Sequence, residues 1–145
     1  MSSREYFETV AGEWDAIRQR LFPDSLRERA YGVAGIEPGR RAVDVGAGSG
    51  FLTEGLLAQG LSVVAVDEAE AMLATLGGKL GDRPGLELRA GGAERLPLAD
   101  GEVDYAFANM VLHHVEEPAA AVREMARVVR PGGRVVITDL DEHDF

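Results

Sequence analysis

Three glycines at alternate positions, Gly46, Gly48 and Gly50, directly follow a short apolar segment that contains Val43 and Val45. The β-branched residues before the glycines predict a buried strand, and the residues after them have the pattern of a helix. Glycine is needed where φ is positive or where a ligand lies against bare backbone. A glycine turn between strand and helix also directs the free N–H groups of the helix start towards a ligand. The segment therefore predicts a strand–turn–helix unit that binds a ligand.

An acidic residue, Asp67, closes the next apolar run along the chain. Its carboxylate is suited to accept two hydrogen bonds from a ribose diol. In open sheets of parallel strands, ligands bind at the carboxyl ends of the strands. A glycine turn after one strand and a carboxylate after the next therefore predict a nucleoside-binding site.

The spacing of the glycines separates two classes of nucleoside cofactor. The dinucleotide pattern G-x-G-x-x-G requires a glycine at position 51, which is Phe51 here, and no Lys or Arg stands near this helix start in the sequence. Asp44 adds an anion beside the turn, which repels phosphate and suits a cationic α-amino group. S-adenosylmethionine carries such an amine, a ribose diol and no phosphate. It is therefore favoured over NAD, although a nicotinamide oxidoreductase remains an alternative.

Five segments, in order, resemble the motifs of class I S-adenosylmethionine-dependent methyltransferases of the small-molecule type, including quinone-biosynthesis and repressor-attached domains. They are VDVGAGSG at 43–50, VAVD with AML at 64–67 and 71–73, GAERLPL with VDYA at 92–98 and 103–106, LHHV at 112–115, and RPGGR at 130–134. The resemblance implies in-line methyl transfer from S-adenosylmethionine to a small-molecule acceptor, with S-adenosylhomocysteine as product. A module that binds the cofactor without turnover is the alternative.

The resemblance also implies a set of cofactor-binding residues at the carboxyl ends of strands 1 to 4. They are Asp44, Gly46, Ala47, Gly48, Gly50, Asp67, Glu68, Met72, Gly92, Ala93, Glu94, Asn109 and Met110. The chain departs from the pattern at Gly92, where relatives commonly place an acidic residue that holds the adenine amino group. We expect the backbone N–H of Ala93 to contact adenine, with Glu94 or another group replacing the missing carboxylate.

Four further residues are candidates for acting on the acceptor. His113 and His114 follow strand 4, and a histidine near neutral pH can take a proton from an acceptor. The alternative is that one ring only packs against the last helix. Tyr6 and Trp14 lie on the predicted N-terminal helix and are candidates for contacting the substrate. Tyr6 is the better candidate, because Trp14 lies on the apolar stripe of that helix, where packing is the alternative. His143 and the aspartates near the end of the chain do not predict a metal site.

The order of elements predicts an α/β fold, a Rossmann-like doubly wound parallel sheet with strand order 3-2-1-4-5. Its strands are predicted at 41–45, 61–66, 86–90, 103–108 and 134–139, and its helices at 50–59, 69–79 and 118–129, after two N-terminal helices. We expect one domain over residues 1–145, with a helical lid at 1–36 and a cofactor-binding core at 37–145. We expect the chain to lack the C-terminal strand pair usual in the family, either as a truncated fragment or as a minimal version of the fold. The apolar edge of strand 5 therefore predicts a homodimer or another cover for this edge.

Composition limits the partners of this 145-residue chain. The formal net charge is −10 without a basic stripe, which argues against nucleic acid as a partner. The absence of cysteine excludes disulfides and thiolate metal sites. No segment is apolar enough for a membrane helix and none resembles a signal peptide, so the cytoplasm is the expected compartment. The expected partner is a small molecule.

Overall fold

The structure is a computed structural model that describes residues 24–139. Helices and strands alternate along most of this range. In chain order the elements are α1 (Asp24–Ala34), β1 (Arg41–Val45), α2 (Phe51–Ala58), β2 (Ser62–Asp67), α3 (Glu70–Leu80), β3 (Leu86–Ala90), β4 (Val103–Asn109), a 3₁₀ turn (Leu112–His114), α4 (Pro118–Val128) and β5 (Val129–Thr138).

The five strands form one parallel sheet in the order β3-β2-β1-β4-β5, which confirms the predicted topology. In the centre of the sheet, Val43 pairs with Val64 on one side and Ala106 on the other. Because all strands run in the same direction, their carboxyl ends meet at one edge. The chain order reverses between β1 and β4, and such a switch point opens a crevice for a ligand at that edge.

Alternate residues of β1 point into two different layers of core. Val43 and Val45 pack with Met125 and Val128 of α4 on one face. On the other face, α1 and α2 pack in the cluster that contains Ala42, and α3 packs over the neighbouring part of the sheet through Leu76 and Leu80. The sheet is therefore covered on both faces, as its nearly continuous apolar strands predict.

Helix α1 is part of this core. Its Tyr31 is buried, and the hydroxyl donates a 2.7 Å hydrogen bond to the carbonyl of Leu52. The Tyr31 ring also meets the Phe107 ring edge-on, with 6.0 Å between their centroids. The lid predicted over residues 1–36 therefore ends in a helix that packs against the sheet. Most of that lid, with Tyr6 and Trp14, lies outside the described residues.

The last strand begins earlier than predicted. Helix α4 ends at Val128 and β5 starts at Val129, before Pro131-Gly132-Gly133, the segment expected to separate them. The pairing runs from Val103 with Val129 to Tyr105 with Arg134, so β5 advances by five residues while β4 advances by two. These extra residues bulge out of the register, and a Cβ on Gly133 would lie 2.3 Å from the Asp104 carbonyl oxygen. The glycine therefore permits the bulge.

Strand β5 lies at one edge of the sheet, as predicted. Val136 is buried, whereas Val135 and Ile137 are 37% and 38% exposed. The expected homodimer through this edge stays a prediction, as does the missing strand pair, which concerns chain beyond the described residues. Among residues 24–139, no helix has the length and apolar character to cross a membrane.

Candidate active site

The turn between β1 and α2 has the backbone that its glycines predict. Gly46, Gly48 and Gly50 have φ values of 68°, 60° and 100°, in the left-handed region that disfavours side chains. The N–H of Ala47 donates to the Val66 carbonyl oxygen at 2.9 Å, which ties the turn to β2. On the opposite side, a Cβ on Gly46 would lie 2.6 Å from Cγ2 of Val111. The bare turn therefore sits between the ends of β2 and β4.

Asp67 joins this turn to the start of α3. Its Oδ2 accepts the N–H of Gly48 at 2.9 Å, and its Oδ1 accepts the N–H of Ala69 at 2.9 Å. Burial raises the pKa of the Asp67 carboxyl, while these backbone donors oppose the shift. The backbone N–H of Glu68 acts on the carboxylate in the same direction. A carboxylate has about four lone-pair sites, so acceptor capacity remains for further donors. Asp67 can therefore hold the turn and accept ribose hydroxyls at the same time.

Asp44 is buried beneath the first turns of α2, with only 2% of the residue exposed. Its Oδ2 accepts a 2.7 Å hydrogen bond from the hydroxyl of Thr53. Burial raises the pKa of the Asp44 carboxyl to about 7, against the effect of its hydrogen bonds from Thr53, and the charge of Asp67 raises it further. A nearby cation would favour the ionised form of this carboxyl.

A cation from α1, Arg27, lies at the start of α2. Arg27 of α1 donates to the Phe51 carbonyl oxygen at 3.0 Å, and its guanidinium lies 5.4 Å from the centroid of the Phe51 ring. It also lies 3.5 Å from the Glu54 carboxylate. The sequence led us to expect no cation near this helix start, and this expectation is wrong, because Arg27 lies there in the folded chain. Asp44 and Phe51 still distinguish the turn from the dinucleotide pattern.

The carboxyl ends of β2 and β3 present Glu68 and Gly92 to each other. A Cβ on Gly92 would lie 3.3 Å from Oε2 of Glu68, so the carboxylate reaches over a residue without a side chain. Glu94 is exposed in the following loop. Met72 is 1% exposed and packs with Ala69 and Ala71. The structure thus brings Glu68 and Gly92 together and buries the Met72 side chain.

A strained residue, Met110, directly follows strand β4. Met110 has φ 60°, and no other non-glycine residue between 24 and 139 has a positive φ. Its N–H donates to the Thr138 carbonyl oxygen at 2.7 Å, and the Thr138 hydroxyl donates to Oδ1 of the neighbouring Asn109 at 2.6 Å. Strain of this kind persists only where the surrounding structure enforces it, and it clusters at functional sites.

The two histidines follow Met110 in the 3₁₀ turn, where both are exposed. Nδ1 of His113 lies 2.5 Å from Oδ1 of Asp139, and the backbone N–H of His113 donates to Oδ2 of the same residue at 3.2 Å. The His113 and His114 rings are 3.9 Å apart between centroids. Partial burial and then the neighbouring His113 lower the pKa of His114.

Asp139 was not predicted as a site residue. The signal was its position directly after β5, because β5 runs parallel to β4 and the two strands end side by side. His143 lies outside the described residues. Between residues 24 and 139, no three His, Asp or Glu residues are grouped so that they could hold a metal ion.

The candidate site residues follow the order of the sheet along its carboxyl edge. Gly92 lies at the end of β3, and Asp67 and Glu68 lie at the end of β2. The glycine turn follows at β1, and the ends of β4 and β5 complete the row. The sequence matches a known protein family, described as a methyltransferase domain, over residues 43–137. The chain belongs to the class I S-adenosylmethionine-dependent methyltransferases.

Proteins similar to this methyltransferase domain include an enzyme and a solved structure of the same class. A demethylmenaquinone methyltransferase of Renibacterium salmoninarum is 35% identical over 144 residues, covering 96% of this chain and 59% of the relative. The chain therefore spans less than two thirds of that relative's length. A SAM-dependent methyltransferase structure from Aquifex aeolicus has a TM-score of 0.77 and 25% identity, covering 96% of this chain and 73% of that one.

A third similar structure is named for a different activity. The [4+2]-cyclase SpnF has a TM-score of 0.75 and 25% identity, covering 80% of this chain and 44% of that one. A methyltransferase-like fold of this kind therefore does not by itself fix the reaction, and function has to be argued from the site.

Proposed function

We propose that this methyltransferase domain moves a methyl group from S-adenosylmethionine to a small-molecule acceptor by in-line displacement. The observation that carries the proposal is the order of groups along one edge of the sheet. A carboxylate suited to ribose, a bare glycine turn and a proton acceptor follow one another across β2, β1 and the ends of β4 and β5. An extended cofactor laid along this edge has its nucleoside at β2 and its methionine part towards β4.

In this arrangement, the remaining acceptor sites of Asp67 take the two ribose hydroxyls. The backbone of Gly46 and Gly48 lies against the cofactor, where a side chain would intrude. Asp44 supplies a buried negative charge behind the turn, which favours the cationic amine. The carbonyl groups of Asn109 and Met110 face the methionine part. These assignments follow the positions of the residues at the strand ends.

The bound cofactor supplies a methyl group that is already electrophilic because it is attached to a sulfonium. The chain therefore has to align the acceptor with that methyl group and exclude water. Alignment of two reacting groups alone can contribute on the order of 7–11 kcal/mol to lowering a barrier. Acceptors that lose a proton on methylation need a base as well.

We assign that base to His113. With the carboxylate of Asp139 on Nδ1, the neutral ring carries its proton at Nδ1 and leaves Nε2 to accept one. Asp139 holds the ring through two hydrogen bonds, one to the side chain and one to the backbone N–H. It is therefore a positioning residue for His113. A base at this place suits an acceptor hydroxyl, and reduced quinones carry such hydroxyls. Together with the similarity to a demethylmenaquinone methyltransferase, this favours a quinol-like acceptor.

The cofactor assignment is tested by calorimetric titration of the full chain with S-adenosylhomocysteine. We expect micromolar binding that Asp67→Ala weakens at least tenfold, since two ribose hydrogen bonds to a charged group are lost. Asp82→Ala is the matched control, because Asp82 is exposed in the turn after α3, at the opposite edge of the sheet. Circular dichroism checks that both variants fold. Well-folded wild type that does not bind would contradict the proposal.

The base is tested with reduced demethylmenaquinone as methyl acceptor. We expect His113→Gln to lower kcat by about 10²-fold or more, within the usual contribution of a general base, while S-adenosylhomocysteine affinity is unchanged. Asp139→Asn should lower kcat less and alter its pH profile, because it acts through His113. His114→Gln is the control. Equal losses in the two histidine variants would contradict the assignment of His113.

A second function is favoured by the similarity to SpnF. On that alternative, the chain binds the cofactor without transferring its methyl group. Tight S-adenosylhomocysteine binding, with no methylated product from any quinol or phenol acceptor, would support it.

A further inference from the structure

The carboxylate of Glu68 is exposed at the start of the loop between β2 and α3. Within the described part of the chain it has no hydrogen-bond or ion-pair partner. Its Oε2 lies 3.3 Å from the point where a Cβ of Gly92 would stand. An unpaired acceptor group therefore lies over a patch of backbone that has no side chain of its own.

A donor lies beside this acceptor. The backbone N–H of Ala93, the residue after Gly92, is not bonded to any group of residues 24–139. A free carboxylate and a free N–H next to each other match the edge of adenine, which presents an amino donor beside a ring-nitrogen acceptor. Hypoxanthine presents an oxo acceptor in place of the amino group and does not match.

The position along the sheet agrees with this match. If Asp67 holds the ribose and the methionine part extends towards β4, the base extends the opposite way, towards β3. Glu68 is adjacent to Asp67, and Gly92 lies just after β3. On this arrangement, the adenine ring lies between Glu68 and Gly92.

We propose that Glu68, in the space that Gly92 leaves open, recognises the adenine amino group and sets the base selectivity of the site. The proposal rests on the function proposed above. Glu94, the other carboxylate in the loop after Gly92, is exposed, and no contact joins it to Gly92. The geometry therefore favours Glu68 over Glu94 as the group that replaces a side chain at position 92.

The experiment compares titrations of the full chain with S-adenosylhomocysteine and with S-inosylhomocysteine. The two differ at position 6, which is amino in one and oxo in the other, and at N1, which is an acceptor in adenine and an N–H donor in hypoxanthine. We expect the wild type to prefer the adenine compound by about tenfold or more, the usual value of a hydrogen bond to a charged group. In Glu68→Gln the amide can donate to the 6-oxo group. The preference should then fall by about threefold or more, although the N1–H of hypoxanthine still faces the N–H of Ala93. The inosine compound should gain affinity, which misfolding cannot produce.

Glu94→Gln and Glu70→Gln are the matched controls, each removing one nearby exposed negative charge, and both should keep the wild-type preference. An unchanged preference in Glu68→Gln, or its loss in Glu94→Gln, overturns the proposal while leaving the cofactor assignment intact. A wild type that binds the adenine compound without preference also overturns it. A wild type that binds neither compound overturns both this proposal and the proposed function.

Discussion

Gly46 and Val111 are packed so closely that a Cβ on the glycine would lie 2.6 Å from Cγ2 of the valine. The glycine belongs to the turn after β1, and the valine lies just beyond the end of β4. The two strands flank the switch point of the sheet, so this contact sets how closely the turn and the segment before the histidines approach. The glycine is required for its left-handed φ of 68° and for its lack of a side chain.

We predict that Gly46→Ala lowers the free energy of unfolding by about 2–4 kcal/mol, from left-handed backbone strain and from overpacking against Val111. In the double variant with Val111→Ala, the packing part of that loss should be recovered and the backbone part should remain. Urea unfolding of the wild type, the two single variants and the double variant gives the coupling free energy between positions 46 and 111. Strictly additive losses would show that the two residues do not clash.

Two helical glycines should respond oppositely to alanine. A Cβ on Gly55 in α2 would lie 2.2 Å from the Tyr31 hydroxyl oxygen, which is fixed by its bond to Leu52. A Cβ on Gly78 in α3 meets nothing within 4 Å. We therefore expect Gly55→Ala to destabilise by about 2 kcal/mol and Gly78→Ala to stabilise by about 0.5–1 kcal/mol. Thermal and urea unfolding measure both, and stabilisation by Gly55→Ala would contradict the contact.

Asp44 should make the stability depend on pH in a distinctive direction. Because its folded pKa is about 7 against an ordinary value of 3.8, the folded state holds this proton more tightly. Stability from this group is present below pH 4 and is lost as the pH rises to about 7, a change of about 4 kcal/mol. Asp44→Asn, which can still accept from Thr53, should remove that loss. Urea unfolding of both proteins between pH 4 and pH 8 measures it, and parallel pH curves would contradict it.

Glu102 should stabilise the fold in the opposite pH range. Its carboxylate accepts hydrogen bonds from Arg89 at 2.9 and 3.1 Å, from Arg41 at 2.8 Å and from the Ala99 N–H at 2.9 Å. Its pKa is lowered, chiefly by Arg89. We expect Glu102→Gln to cost about 1 kcal/mol at pH 7, a modest value for a partly exposed network. The difference should vanish as the pH falls through the lowered pKa, where the wild type also loses its charge. Glu28→Gln, on an exposed part of α1, is the control, and an equal loss there would contradict the prediction.

The sequence is informative where local pattern decides the structure. The bounds of β1 and β3 agree with prediction because a Pro-Gly turn, at 38–39 and at 84–85, marks the start of each strand locally. The strand order follows from the handedness of parallel crossovers, which leaves few topologies for this element pattern. The glycine turn was predictable because only glycine adopts its φ values readily.

The sequence is less informative where residues far apart in the chain meet. Arg27 reaches Phe51 across 24 residues, and Asp139 reaches His113 across 26. Neither pairing leaves a local pattern, because each depends on which elements the sheet places side by side. The early start of β5 was missed because Pro131-Gly132-Gly133 indicates a loop locally, whereas pairing with β4 carries the strand through those residues.

The bond between His113 and Asp139 ties the proposed base to an edge strand of the sheet. Within residues 24–139, β5 is hydrogen-bonded to one other strand, β4, and Asp139 follows directly after its last residue. Edge strands open locally at lower free energy than central ones. Each fraying of the end of β5 therefore releases the imidazole, while Asp67 and the glycine turn, anchored in the centre of the sheet, remain in place. On the proposed function, amide exchange near Thr138 thus reports how often the cofactor site is intact while the proposed base is released.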